Sequence, residues 1–272
     1  MHCAIRRSVF VGIALALTAA AGAQNAAPVM VAKPQPGKPM QPLILSAVDT
    51  KVRIVGRIAE TSTTMTFTNP LDRELEGELY FPLPQGATVS GYALDIEGKM
   101  VDGVAVEKNR GREVFEDIVR QGIDPGLVEW AKGNNFKTRV FPIPVGGERT
   151  IRVSYVSEII GSGGKQTYHL PLSYKKKIAR FALRVEVVKP ATVPRVTSGA
   201  LANFSFGKWE DGFAAETKLT DATLNKDMVI ALPDVAAGNV IVEKASDGKY
   251  YFAINDTVDV PERKSIRPTP KR

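Results

Sequence analysis

Apolar and polar residues alternate through much of this chain with the period of two that a half-buried sheet imposes. Val52, Ile54 and Ile58, then Met65 and Phe67, form one such series. Tyr92–Ile96 and Met100-Val101, separated by Glu97-Gly98, read as a tight hairpin. Strands are predicted again over Phe136–Ile143 and Thr150–Ile159, on either side of the turn Val145-Gly146-Gly147, with charged residues alternating outward as in a one-sided antiparallel sheet.

The period changes once. Between Glu107 and Gln121, Val114, Phe115, Ile118 and Val119 recur at helical spacing, and Gly122 stands where a left-handed residue would end the helix. This predicts one helix packed on the sheet. Asp124-Pro125 offers a cap followed by proline at a first helical position, so Gly126–Ala131 is predicted as a short second turn.

Four small residues, Gly161-Ser162-Gly163-Gly164, supply no side chains to a core and mark an internal boundary. Beyond them, strands are predicted at Tyr168–Leu172, Phe181–Val188, Phe204–Trp209, Phe213–Leu219, Met228–Leu232, Val240–Glu243 and Tyr250–Ile254. Asp211-Gly212 and Asp247-Gly248 are turn signals between them, a spacing that suggests a second sandwich. The fold class is therefore mostly β: an antiparallel sandwich with one packed helix, then a second sandwich-like region.

The ends differ from this body. Arg6-Arg7, the apolar run Val9–Leu17 and Ala21-Gly22-Ala23 have the form of an export signal, so 1–23 is predicted to be removed before Gln24. The apolar run is shorter than the roughly 20 residues a spanning helix needs, and no later segment is apolar for that long. Prolines at 28, 34, 36, 39 and 42 predict an extended spacer over 24–42, and 257–272 is a basic, proline-containing tail.

Charge excludes one class of partner. The formal charge of +7 belongs to the ends, because residues 43–261 hold 27 Lys and Arg against 28 Asp and Glu. A body this neutral has no general electrostatic reason to bind nucleic acid. Lys175-Lys176-Lys177 reads as a solvated loop.

Candidate chemistry is sparse. Cys3, the single cysteine, lies in the predicted signal, which leaves a mature chain with no disulfide and no thiolate ligand. His169 would then be the one imidazole, and no G-x-S-x-G elbow accompanies it. Glu74, Glu76 and Glu78 follow strand periodicity and are expected on one solvated face. No H-E-x-x-H, cysteine pair or EF-hand loop occurs, so neither catalytic, cofactor nor metal residues are assigned. Trp130, with Asn134 and Asn135, is the candidate interaction group; the alternative is that Trp130 covers the helix–sheet core. Trp209 is expected in the core.

One ordered set of residues resembles a known family. Thr66-Phe67-Thr68-Asn69-Pro70, Glu78-Leu79-Tyr80-Phe81-Pro82-Leu83-Pro84, Glu107-Lys108, Val114-Phe115-Glu116, Gly126-Leu127-Val128-Glu129, Asn135-Phe136 and Arg152-Val153-Ser154-Tyr155 resemble, in order and spacing, the VIT domain. That module opens the heavy chains of inter-alpha-trypsin inhibitor and occurs in bacterial secreted proteins. The resemblance implies a VIT-like domain over 43–160, followed by a second β-rich domain over 165–256.

It also implies a von Willebrand factor A domain with a metal-binding D-x-S-x-S loop, which this sequence lacks. The reading is an exported, extracytoplasmic and non-enzymatic protein. It would engage an unknown protein partner or serve as an envelope scaffold, with no cofactor. Two alternatives stay open: the front part of a truncated adhesion protein, inactive alone, and a carboxylate-dependent hydrolase of envelope polysaccharide.

Overall fold

The computed structural model describes residues 27–33, 41–103, 126–131, 135–159, 161–162, 165–174, 176–201, 203–233, 239–244 and 248–255. These form strands and connecting turns, with no helix among the described residues. The predicted helix at 107–121 lies outside them.

The frame is an eight-stranded sheet. Its strand order is β14 (Gly207–Trp209), β15 (Gly212–Ala222), β12 (Ile178–Val188), β2 (Ile44–Val55), β3 (Ile58–Thr68), β9 (Glu148–Glu158), β5 (Thr88–Ile96) and β6 (Lys99–Asp102). All neighbours pair antiparallel except β12 and β2, which run parallel with Val185 beside Val52. Alternation sends Val48, Thr50, Val52 and Ile54 of β2, and Ala59, Thr61, Thr63, Met65 and Phe67 of β3, to one buried face. Ile151, Val153 and Tyr155 of β9 and Phe181, Leu183, Val185 and Val187 of β12 complete that face.

Two four-stranded sheets contribute to the same core. One is ordered β1 (Val29–Ala32), β4 (Leu75–Pro82), β8 (Asn135–Ile143), β7 (Gly126–Ala131) and buries Met30, Leu79, Phe81, Phe136 and Val140. Its ring contacts reach the central sheet, with Phe81 6.2 Å from Tyr155 and Phe136 5.9 Å from Tyr92. The other is ordered β10 (Gly161–Ser162), β11 (Lys165–Leu170), β16 (Met228–Leu232), β13 (Arg195–Ser198) and buries Tyr168, Leu170, Met228 and Ile230. A single contiguous core cluster joins all three. Phe67, Phe136 and Phe181 are each within 2% of full burial, and each contributes about 1.5–3 kcal/mol through removal of apolar surface from water.

Asn69 is the polar pin of the first half. It is wholly buried, and its Nδ2 lies 2.9 Å from Arg73 O, 2.9 Å from Pro144 O and 3.2 Å from Ile143 O. Its Oδ1 accepts from the Leu71 amide at 2.9 Å, so one side chain satisfies backbone groups of two loops.

Three expectations change. Gly126–Ala131, predicted as a helical turn, is strand β7, because Leu127, Val128 and Trp130 find a partner in β8 and sheet pairing overrides the local cap signal. The proline-rich stretch expected as a spacer contains β1, whose Met30 and Ala32 are at 0% and 3% exposure. Trp209, expected in the core, is half-buried in the short strand β14 and stacks on Arg184, whose guanidinium carbon is 5.1 Å from the ring. Beyond the glycine-rich boundary, β12 enters the same sheet as β2 and β3, so the chain on either side of Gly161 shares one hydrogen-bonded frame.

Candidate interaction surfaces

The first surface is the outer side of the sheet β1-β4-β8-β7. Period two places Glu76, Glu78 and Tyr80 of β4 on it beside Lys137 and Arg139 of β8. Lys33 Nζ is 2.7 Å from Glu76, Lys137 Nζ is 3.0 Å from Glu78, and Arg139 is 3.6 Å from Glu76. Lys137 also lies 5.2 Å from the Tyr80 ring centre, and the Tyr80 hydroxyl donates to Glu78 at 2.9 Å. Partial burial pulls the Lys137 ammonium down, but the hydrogen bonds and charges of Glu78 and Tyr80 together outweigh it and hold the group above its ordinary value. Glu76 and Glu78 therefore do share one face, as their spacing predicted, but that face is not freely solvated: their side chains are only 12% and 15% exposed and are committed to ion pairs there. Glu74 is exposed just ahead of the strand.

This sheet ends at β7, which pairs only with β8 among the described residues. Register sets Trp130 opposite Phe136 and Ala131 opposite Asn135 at the closed end of the β7–β8 hairpin. Trp130 and Asn135 thus belong to the last two residue pairs at the tip of an edge hairpin, in adjacent pairs and not opposite one another, and Asn134 lies outside the described residues.

The second surface is the outer face of the central sheet. Much of it is internally satisfied: Arg184 bonds Glu186 at 2.7 Å and Glu216 at 2.8 Å, Arg152 bonds Asp102 at 2.7 Å, and Ser62 and Thr66 pair with Ser154 and Thr150 at 3.0 Å. Between these rows runs a trough of about 440 Å³, bordered by Asp49, Thr64, Thr66, Arg180 and Lys218. Its residues come from β2, β3, β12 and β15, far apart in sequence. The one local signal that could have found it is alanine at two outward positions, Ala47 and Ala182, where neighbouring outward positions carry larger side chains.

Other candidates resolve into structural roles. His169 is exposed on β11 with Nε2 3.3 Å from Thr167 Oγ1, and no carboxylate bonds it among the described residues. Lys176 and Lys177 are exposed ahead of β12, in keeping with a solvated loop. No group of three His, Cys, Asp or Glu residues is placed to hold a metal ion among the described residues.

Comparison with known proteins adds a family. Residues 45–155 match the model of the vault protein inter-alpha-trypsin domain, VIT. Mouse protein mono-ADP-ribosyltransferase PARP4 is 28% identical over 118 residues, which is 43% of this chain and 6% of that protein. Human inter-alpha-trypsin inhibitor heavy chain H3 is 25% identical over 152 residues, 54% of this chain and 17% of that protein. The chain thus matches only a small share of either relative. Among solved structures, a protein of Legionella pneumophila described as nutrient binding superposes with a TM-score of 0.47 at 13% identity, covering 77% of this chain and 70% of that one. An M1 zinc metallopeptidase of Deinococcus radiodurans gives 0.40 at 11% identity, covering 82% and 51%.

Proposed function

We propose that this chain, which contains a VIT domain over residues 45–155, is an exported, non-catalytic protein that works by binding another protein outside the cytoplasm. The observation that carries the reading is the edge hairpin. Strand β7 lies at the side of its sheet with β8 as its one described neighbour, and its tip brings Trp130 and Asn135 within the last two residue pairs of the ladder. An edge strand presents a row of backbone donors and acceptors that an incoming chain can pair with, and tryptophan is enriched among the residues that dominate protein interfaces. Export is supported by Arg6-Arg7, the apolar run and Ala21-Gly22-Ala23.

The test is site-specific. A photo-crosslinking amino acid at position 130, in the full chain expressed with its own leader, should capture a discrete protein from the envelope or medium. The same group placed at Glu210, on the turn between β14 and β15, should not. Equal labelling from both positions, or none from either, would remove the support for an interface at this edge.

A further inference from the structure

We propose that the trough on the outer face of the central sheet binds an extended peptide segment bearing an acidic side chain, with the carboxylate held between Arg180 and Lys218. The inference rests on the protein-interaction reading and specifies the chemistry of a partner. Its physical origin is the pair of alanines at outward positions of adjacent strands. Ala47 on β2 stands beside Thr66 and Arg180, while Ala182 on β12 stands beside Asp49 and Lys218. Methyl groups set among longer side chains leave about 440 Å³ open, within the range of built ligand sites.

Charge selects the occupant. Arg184, Glu186, Glu216 and Arg152 on this face are all paired. Arg180 and Lys218 are exposed and make no ion pair among the described residues, although they flank the same neutral neighbours, Ala182 and Thr220. An anion between them would relieve their mutual repulsion, and a guanidinium can grip a carboxylate through two parallel hydrogen bonds.

Asp49 narrows the choice. With one acid against two bases the trough is too weakly positive for a polyanion, whose affinity grows with the number of phosphates neutralised. Asp49 accepts hydrogen bonds, as the hydroxyls of Thr64, Thr66 and Thr220 can, so the occupant must also carry N–H donors. An extended peptide supplies these at roughly 3.3 Å per residue together with a single carboxylate.

A phage-displayed random heptapeptide library panned on the full chain tests this. Enriched peptides should carry Asp or Glu. Replacing that acid by its amide, or using the Arg180→Ala/Lys218→Ala chain, should each weaken binding at least tenfold, and added salt should weaken it too. Both side chains are exposed, so an unchanged thermal midpoint of the double variant will confirm that its fold is kept. No enrichment, enrichment of sequences without acids, or unchanged binding to the double variant overturns the proposal. The wider reading is scored separately: crosslinking from position 130 that persists in the double variant, with no peptide binding, sinks the trough alone. Failure of that crosslinking with peptide binding intact sinks the β7 interface alone.

Discussion

The hydroxyl of Tyr168 lies 2.6 Å from Oγ1 of Thr61, and both residues are buried, at 3% and 0% exposure. The contact joins β3 of the central sheet to β11 of the small sheet that follows the glycine-rich segment. Tyr155, itself buried, lies opposite Thr61 in the ladder, so three hydroxyl-bearing side chains converge where the layers meet.

Removing one partner from this cluster should cost more than its own bond. Tyr168→Phe or Thr61→Val alone is expected to lose about 1–3 kcal/mol by leaving a buried hydroxyl short of a partner. The double variant should lose less than the sum of the two. Chemical denaturation of all four chains measures the coupling; strict additivity would mean that the two groups do not interact.

Alkaline solution should unfold the protein through its buried tyrosines. Burial, more than any neighbour, raises Tyr155 from the ordinary value of 10.0 to about 12, and raises Tyr168 and Tyr174 as well. Below pH 10 these groups are neutral in both states and their contribution is intact. As pH rises from 10 to about 12 the unfolded chain releases protons that the folded one retains, so stability falls across that window. A tyrosinate absorbance titration should show a cooperative step coincident with loss of far-UV signal. Gradual ionisation with the sheet signal intact would contradict it.

Asn69→Ala should destabilise the chain by about 2–4 kcal/mol, since it leaves several buried backbone groups short of partners. Asn69→Asp should be worse at neutral pH, because a carboxylate would face the carbonyls of Arg73, Ile143 and Pro144 without a proton to donate. The order of midpoints, Asn above Ala above Asp, is the quantity to measure, and acid should narrow the gap for the Asp variant.

Gly77 tests the packing of β1 on β4. A Cβ at this position would stand 2.7 Å from Ile143 Cδ1 and 3.0 Å from Met30 Sδ. Gly77→Ala should therefore cost about 1–3 kcal/mol through overpacking, and Met30→Ala combined with it should recover part of that loss. An undiminished midpoint in Gly77→Ala would show that β1 yields without cost.

Divalent ions are expected to leave stability unchanged. A hard cation needs about six converging oxygen ligands, and neither the sequence nor the described residues propose such a set. The thermal midpoint should be the same in millimolar calcium, in magnesium and in chelator; a reproducible rise with either ion would refute this.

Period-two patterning located the strands well where they are long and one-sided. Thr150–Ile159 falls almost wholly on the 11-residue β9, and Glu97-Gly98 turns between β5 and β6 with both residues at positive φ. Alternation does not name a strand's neighbour, however. Nothing in Arg180–Val188 announces a parallel seat beside β2, and the trough lined by Asp49, Arg180 and Lys218 follows from that seat. Short strands were missed for another reason: Val29–Ala32 is only four residues among prolines, too brief for its pattern to outweigh its surroundings. At Gly126–Ala131 the cap signal was local and the deciding interaction, pairing with β8, was not.

The parallel seam also sets an order of events during synthesis. Strand β2, 12 residues long, has β3 on one side early, but its other side waits for β12, more than a hundred residues later. Until Val188 has emerged, the span carrying the family's signature holds an unsatisfied strand at what becomes the interior of its sheet. Long-range pairing of this kind is slow and leaves edges open to other chains. A full-length chain meets this gap only in passing, because both halves are present once synthesis ends. One cut at residue 160 would meet it permanently, and should aggregate where the longer chain folds.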